Sequence, residues 1–320
     1  MLPNPSPNQD DDAAHLGVPL DEVLAILKST SLSARIEGDT LIATHEHYET
    51  RVEVMRPEKR SAANGPIRAV VRITSAVPTE IQSMLDGPDK VAPLNLFAAL
   101  GALMSENDTS FIGSRLTLYE AENAWGSLQL PLVVLTAMMG AEAILGGMRR
   151  ALGAADQPDR DTASAWTKGD LAQVDDFLSQ RCLCTTGDQT LTAEFGLRDG
   201  AQSAAQGDHH TALFQLETNQ PHPEVGGGLF CMLQMPHRLK DAARLREVCN
   251  QLNCLEMATE DLPPFFGAWC EGKLGGNPAY VTYLPNALHG VAGIALNTTL
   301  WSVSRARWAD AALESMGVTA

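Results

Sequence analysis

The sequence predicts an α+β fold of two tandem units, each an antiparallel sheet with helices packed on it. Three observations predict it. Six residues recur without a gap: Glu106, Phe111, Gly113, Asn123, Leu130 and Pro131 fall on Glu260, Phe265, Gly267, Asn277, Leu284 and Pro285. Composition alone gives roughly three such matches in a window of this length. The apolar patterns on either side also correspond, which strengthens the repeat. Strand-like segments follow one another at hairpin distance, which argues against βαβ crossovers and a Rossmann sheet. Both halves run through one order, α-β-β-β-α-β-β-α, the pattern of a sheet with helices on one face or at one end.

Residues 1–14, rich in Pro, Asn and Asp, read as a disordered lead-in with no basic and apolar signal regions. The first unit spans 15–152. Leu20, Val23, Leu24 and Leu27 recur at helical spacing, and Pro19 suits the first turn. Glu37-Gly38-Asp39 signals a turn before a strand pair, Leu41–Ala43 and Tyr48–Met55. In the second strand, Tyr48, Thr50, Val52 and Val54 fall on one face, with Glu49, Arg51 and Glu53 on the other. Ser61–Pro66 is a loop, and Ile67–Ser75, rich in β-branched residues, is a third strand. Pro78 opens a helical region that is interrupted at Gly87-Pro88 and resumes over Leu94–Met104. Phe111–Tyr119 and Trp125–Leu130 are read as strands, and a long apolar helix from about Leu132 to Leu152 closes the unit.

A polar linker, 153–166, separates the second unit, 167–320. Thr167 and Asp170 suit a capping box for a helix carrying Leu171, Val174, Phe177 and Leu178. Strands are expected at Thr190–Leu197, Ala212–Leu216 and Leu229–Met235, with a polar loop over Arg198–His210. Pro236 is expected to start the next helix, whose apolar face is Leu239, Ala242, Leu245, Val248 and Leu252. Phe265–Lys273 and Ala279–Leu284 form the last strand pair. A helix through Leu288, Val291, Ile294 and Leu296 follows, with Trp301 and Trp308 beyond it.

With 320 residues, 44% hydrophobic and 19% charged, the chain has ample core for two domains. A net charge of −16 argues against direct binding to a phosphate backbone or an anionic membrane. Leu130–Met148 approaches the length of a membrane span, but an apolar helix in such a chain is read as packed on two faces. The six cysteines all lie in the second half and suggest no disulfide framework, which fits a reducing cytoplasm.

The opening helix Leu20–Leu27, the segment Asp39-Thr40-Leu41, the strand Ile67–Ser75 and the passage around Leu130-Pro131 carry a resemblance. So do Leu171–Leu178, Thr190-Leu191, Leu229–Met235 and Leu284-Pro285 in the second half. In element order and acidity the chain resembles the YbjN family, which shares its fold with the small acidic chaperones of type III secretion. The resemblance spans nearly the whole chain, twice. It implies a non-enzymatic protein that holds or regulates a protein partner. Secretion chaperones act as homodimers of single units, so the resemblance implies that a chain with two units imitates such a dimer.

Residues with chemical potential read as structural. His45-Glu46-His47 is the most metal-like cluster, yet it lacks a third ligand nearby and reads as turn or surface. Cys182-Leu183-Cys184, Cys249 and Cys254 have no CxxC spacing and read as core packing. His209-His210 reads as solvated loop, and Gly226-Gly227-Gly228 as a strand entry rather than a phosphate cradle. Glu120 with Glu122, and Asp175 with Asp176, read as solvated faces. Pro263-Pro264-Phe265-Phe266 reads as the start of a buried strand. There is no nucleophile elbow and no Walker A motif.

No catalytic, cofactor-binding or metal-ligating residue is assigned, and no cofactor is expected. The expected function is non-enzymatic: a cytoplasmic, chaperone-like or regulatory protein that holds a protein partner, as a monomer or homodimer. One alternative is an enzyme or small-ligand binder with its site in the cleft between the units. Another is a structural subunit of a larger assembly.

Overall fold

The computed structural model describes residues 16–29, 32–45, 48–58, 61–62, 65–83, 85, 91–97, 101–106, 109–120, 124–151, 153, 159–197, 210–272 and 275–319. The first unit opens with α1 (Leu20–Ser29), whose Leu20, Val23 and Leu27 are buried. Three antiparallel strands follow: β1 (Ser33–Glu37), β2 (Thr40–Thr44) and β3 (Glu49–Met55). A two-residue β4 (Ser61–Ala62) turns back onto the long β5 (Gly65–Ala76). A short α2 (Thr79–Gln82) and a 3-10 segment (Ala92–Phe97) lead into the hairpin β6 (Ala102–Glu106) and β7 (Thr109–Tyr119). The unit ends in α3 (Ala124–Ala151).

The second unit repeats the plan with α4 (Lys168–Leu178), β8 (Cys184–Thr186), β9 (Thr190–Gly196), β10 (Thr211–Glu217) and β11 (Gly228–Gln234). Then come α5 (Ala242–Ala258), β12 (Ala268–Glu271), β13 (Pro278–Pro285) and α6 (Ile294–Ser315). The first sheet has the order β1-β2-β3-β5-β7-β6, and the second β8-β9-β10-β11-β13-β12. All these neighbours are antiparallel. Strand for strand the two sheets have one topology, so the tandem α+β architecture is present.

The residue-by-residue recurrence does not map onto that topology. Hairpin β6–β7 corresponds to β12–β13, yet Phe111 lies in β7 whereas Phe265 precedes β12. Leu130-Pro131 lies inside α3, whereas Leu284-Pro285 ends β13. Trp125–Leu130, expected as a strand, is the start of α3, and Ala102–Met104, expected as helix, is β6. A short apolar run is compatible with either period, and the place beside β7 is filled by β6. Pro131 forfeits one helical hydrogen bond, but the helix runs on through it into the core. Pro236 does not start a helix. The helix begins at Ala242, where the Asp241 carboxylate accepts hydrogen bonds from the N–H groups of Ala243 and Arg244. The short strands β1 and β8 lacked a clear apolar alternation in the sequence and were not expected.

The cores are continuous. Leu41, Val52, Val71, Ile73 and Leu116 of the first sheet meet α1 and Leu130, Val134 and Ala137 of α3. Leu191, Phe214, Leu229 and Tyr280 of the second sheet belong to the same apolar cluster. The window Leu130–Arg150 is long and apolar enough to cross a membrane, but 67% of it is buried inside the molecule, as in a core helix.

The units interlock. α5 packs on β12 of its own sheet and on β6 and β7 of the first. Gly113 faces this contact: a side chain there would displace the terminal methyl of Met104 and crowd that of Met257 of α5. The Asn250 side chain pairs with the Ser105 backbone in both directions, at 3.0 Å each way. Arg115 and Phe265 exchange two backbone hydrogen bonds, 3.1 and 2.8 Å, which joins β7 to the approach to β12. In return, Ala143 of α3 packs against Tyr283, with Val225 and Phe230 beside it.

Residues 159–166 lie against the second unit. Gly227 N–H donates to Asp161 O, and Trp166 Nε1–H donates to Leu284 O. A side chain at Gly226 or Gly227 would run into the backbone of Asp161 or Ala163. The glycine run is therefore a close-approach surface as well as a strand entry.

Candidate functional site

The outer face of the first sheet is only partly covered by α5, and the uncovered part is a cleft of about 710 Å³ between the units. Its floor follows from strand alternation. Thr50, Val52 and Val54 turn into the core, so Glu49, Arg51 and Glu53 face out. On β5 the outward residues are Arg72 and Thr74. Glu106, Ser110 and Phe111 form one wall, and Cys254, Met257 and Ala258 of α5 the other. The volume suits a small organic ligand.

Two features of the cleft have chemical content. Arg51 is held by Glu49, Nε to Oε1 at 2.9 Å. Arg72 stands cross-strand between Glu53 on β3 and Arg115 on β7. Its Nε is buried and meets no acceptor among the described residues. An unmatched guanidinium donor is costly, and a carboxylate or phosphate satisfies it in a bidentate way. Glu53 and Glu106 supply negative charge in the same cleft.

Beside the cleft lies the joint that fixes its shape. Arg115 is fully buried and points into the turn after α5. Its guanidinium donates to the carbonyls of Glu256 (3.3 Å), Glu260 (3.3 Å), Leu262 (3.3 Å) and Pro263 (3.0 Å). Burial lowers its pKa to about 10, offset in part by Glu256. Glu256 is itself wholly buried. It accepts from Arg305 Nε at 2.6 Å and from Trp269 Nε1 at 2.8 Å. Arg305 also donates to Pro264 O at 2.8 Å and lies 3.9 Å over the Tyr280 ring.

His45 Nδ1 lies 3.5 Å from the half-exposed Glu142 carboxylate, and its ring stacks on Tyr48 at 4.9 Å. Glu46, His47, Glu122 and His209 lie outside the described residues. The cysteines are all free. Cys249 is buried in the core, as expected, and so are Cys231 and Cys270; Cys182, Cys184 and Cys254, also read as core, are only partly buried and pack against it. Burial pushes the Cys184 thiol up to about 12 and that of Cys254 up to about 11, so neither is a thiolate at neutral pH. Phe265 and Phe266 are buried, as expected, but they precede β12 and do not start it, and Phe265 bonds to the first unit.

His210 departs from its reading as solvated loop. It is largely buried, and its Nε2 lies 2.7 Å from Asp310 Oδ1. His237, wholly buried, places Nε2 3.4 Å from the same oxygen. The register explains the meeting: Leu213 pairs with Gln234, and three residues beyond each stand His210 and His237. α6 crosses that end of the sheet and presents Asp310. Neither His237 nor Asp310 was singled out in the sequence, since they lie 73 residues apart. Arg72 was missed too, although it sits at an outward strand position.

Compared with protein-family models, curated proteins and solved structures, the chain matches none.

Proposed function

We propose that this chain is a small-ligand-binding protein whose ligand lies in the cleft between the two units. The observation that carries this reading is the half-buried Arg72, whose buried Nε meets no acceptor among the described residues, in a cavity walled by both halves of the chain. The ligand class is a small zwitterion. Its anionic group meets Arg72, its cationic group lies toward Glu53 or Glu106, and its apolar body rests on Phe111 and Met257. The buried His210–His237–Asp310 group adds weight to a ligand-binding role in general, although it lies within the second unit and outside the cleft. Free cysteines with neutral thiols suit a reducing, cytoplasmic setting.

A thermal-shift screen of free amino acids and dipeptides, each beside its N-acetylated and C-amidated forms, tests the reading. It predicts stabilisation by uncapped compounds and little by doubly capped ones; equal responses or none contradict it.

A second reading, a protein that holds a partner by strand addition, rests on the outer strands β1 and β8, each of which pairs on one side only among the described residues. It is the role that the resemblance to the YbjN family implies. The large exposed apolar side chains of the described residues (Ile26, Leu96, Met139, Leu183, Leu255 and Leu300) are spread over six segments. That spread gives this reading less support than the cleft gives the first.

A further inference from the structure

We infer that His210, His237 and Asp310 form a binding site for a divalent transition-metal ion of the zinc type. This does not depend on the cleft, which is built from other residues. Two imidazoles and a carboxylate, from the entry to β10, the loop after β11 and α6, bring their donor atoms within 4.8 Å of one another. Zinc–ligand bonds of about 2.0–2.2 Å place donor atoms about 3–4 Å apart. The separations of 2.7 and 3.4 Å between Asp310 Oδ1 and the two Nε2 atoms are already close to that spacing.

The ligands are held from behind. The Asn277 side-chain amide donates to the carbonyls of Met235 (3.1 Å), Pro236 (3.1 Å) and His237 (2.9 Å), which fixes the loop that carries His237. Leu239 N–H donates to Gly276 O at 2.7 Å on the same loop. Leu197 N–H donates to His210 O at 3.2 Å, which fixes the entry to β10. Backbone anchoring of this kind pre-sets ligand geometry. Asp310 is a buried carboxylate that a bound cation would compensate, and among the described residues two imidazoles, a ligand type that binds metal in its neutral form, meet it. Nitrogen-rich donors suit zinc or cobalt and not magnesium or calcium. Three protein ligands leave a fourth position for water or a substrate group. His210 is the most exposed of the three, so that position opens on its side.

The test is a Co²⁺ titration of the full chain after chelator treatment, read by visible absorption and by metal analysis. One Co²⁺ per chain, with the intense d–d bands of a four-coordinate site, displaced by Zn²⁺ but not by Mg²⁺ or Ca²⁺, is expected. His210→Ala and Asp310→Asn should each weaken binding by more than the roughly 10–100-fold that loss of a supporting residue causes. His45→Ala should leave it unchanged. A free-ion spectrum in folded wild-type protein overturns the site. So does unchanged affinity in folded Asp310→Asn, or loss of binding in His45→Ala. If either ligand variant unfolds by circular dichroism, His210→Cys takes its place. A thiolate-to-Co²⁺ charge-transfer band is then expected, and a folded variant without that band overturns the assignment.

Discussion

Glu256 shows how much a single buried residue can organise. It neutralises Arg305, accepts from the Trp269 indole, and sits in the same charged group as Arg115. Nothing in the sequence marks it, because its importance comes from partners 49 and 141 residues away. Removing one partner of a buried pair leaves an uncompensated charge, which costs about 3–5 kcal/mol. Glu256→Ala should therefore destabilise the chain by about that amount in urea unfolding followed by tryptophan fluorescence. A loss below about 1 kcal/mol, the level of a surface pair, would show that solvent reaches Arg305. The two histidine clusters make the same point. His45-Glu46-His47 stood out because its members are adjacent, whereas His210 and His237 meet only through strand register. Local spacing displays the first kind of cluster and hides the second.

At the scale of elements, legibility followed the strength of the local signal. The alternation that sends Glu49, Arg51 and Glu53 outward was plain, and it forms the floor of the cleft. The Thr167–Asp170 cap was also plain. Thr167 N–H donates to Asp170 Oδ2 at 2.7 Å and its hydroxyl to the same oxygen at 2.8 Å, and His289 lies 3.3 Å away. Partial burial opposes ionisation of Asp170, but the Thr167 hydrogen bonds and His289 outweigh it and hold the carboxyl below its usual range. A depressed folded pKa gives stability that is present above the unfolded pKa, near 3.8, and is lost as pH falls through the folded value. Asp170→Ala should cost about 1 kcal/mol at neutral pH, measured by urea unfolding. The difference from wild type should shrink below pH 4; a difference that persists at pH 2 would mean the carboxylate acts through packing. The boundary between β7 and α3 was illegible for a different reason. Trp125–Leu130 is apolar enough for strand or helix, and β6 decides the matter by pairing with β7.

At the scale of the molecule, the doubling is a property of topology and not of aligned residues. Both sheets share one strand order, while the matched pairs Phe111/Phe265 and Leu130/Leu284 stand in different places. The sequence therefore pointed to the right architecture through a register that the fold does not keep. What it did not show was interlocking: α5 between the units, Arg115 among the carbonyls that follow it, and Phe265 bonded to β7. That interlock makes a cleft of the space between the two halves, and it leaves the Arg72 Nε with no acceptor among the described residues there. Calorimetric titration of wild type and Arg72→Gln with the most stabilising uncapped dipeptide tests this most directly. The wild type should bind one ligand per chain. Arg72→Gln, folded and equally stable, should bind at least about 10-fold more weakly, as expected for loss of a charge-assisted hydrogen bond worth about 1.5–3 kcal/mol. Equal affinity in the two proteins, or no binding to the wild type, would contradict a ligand site in the cleft.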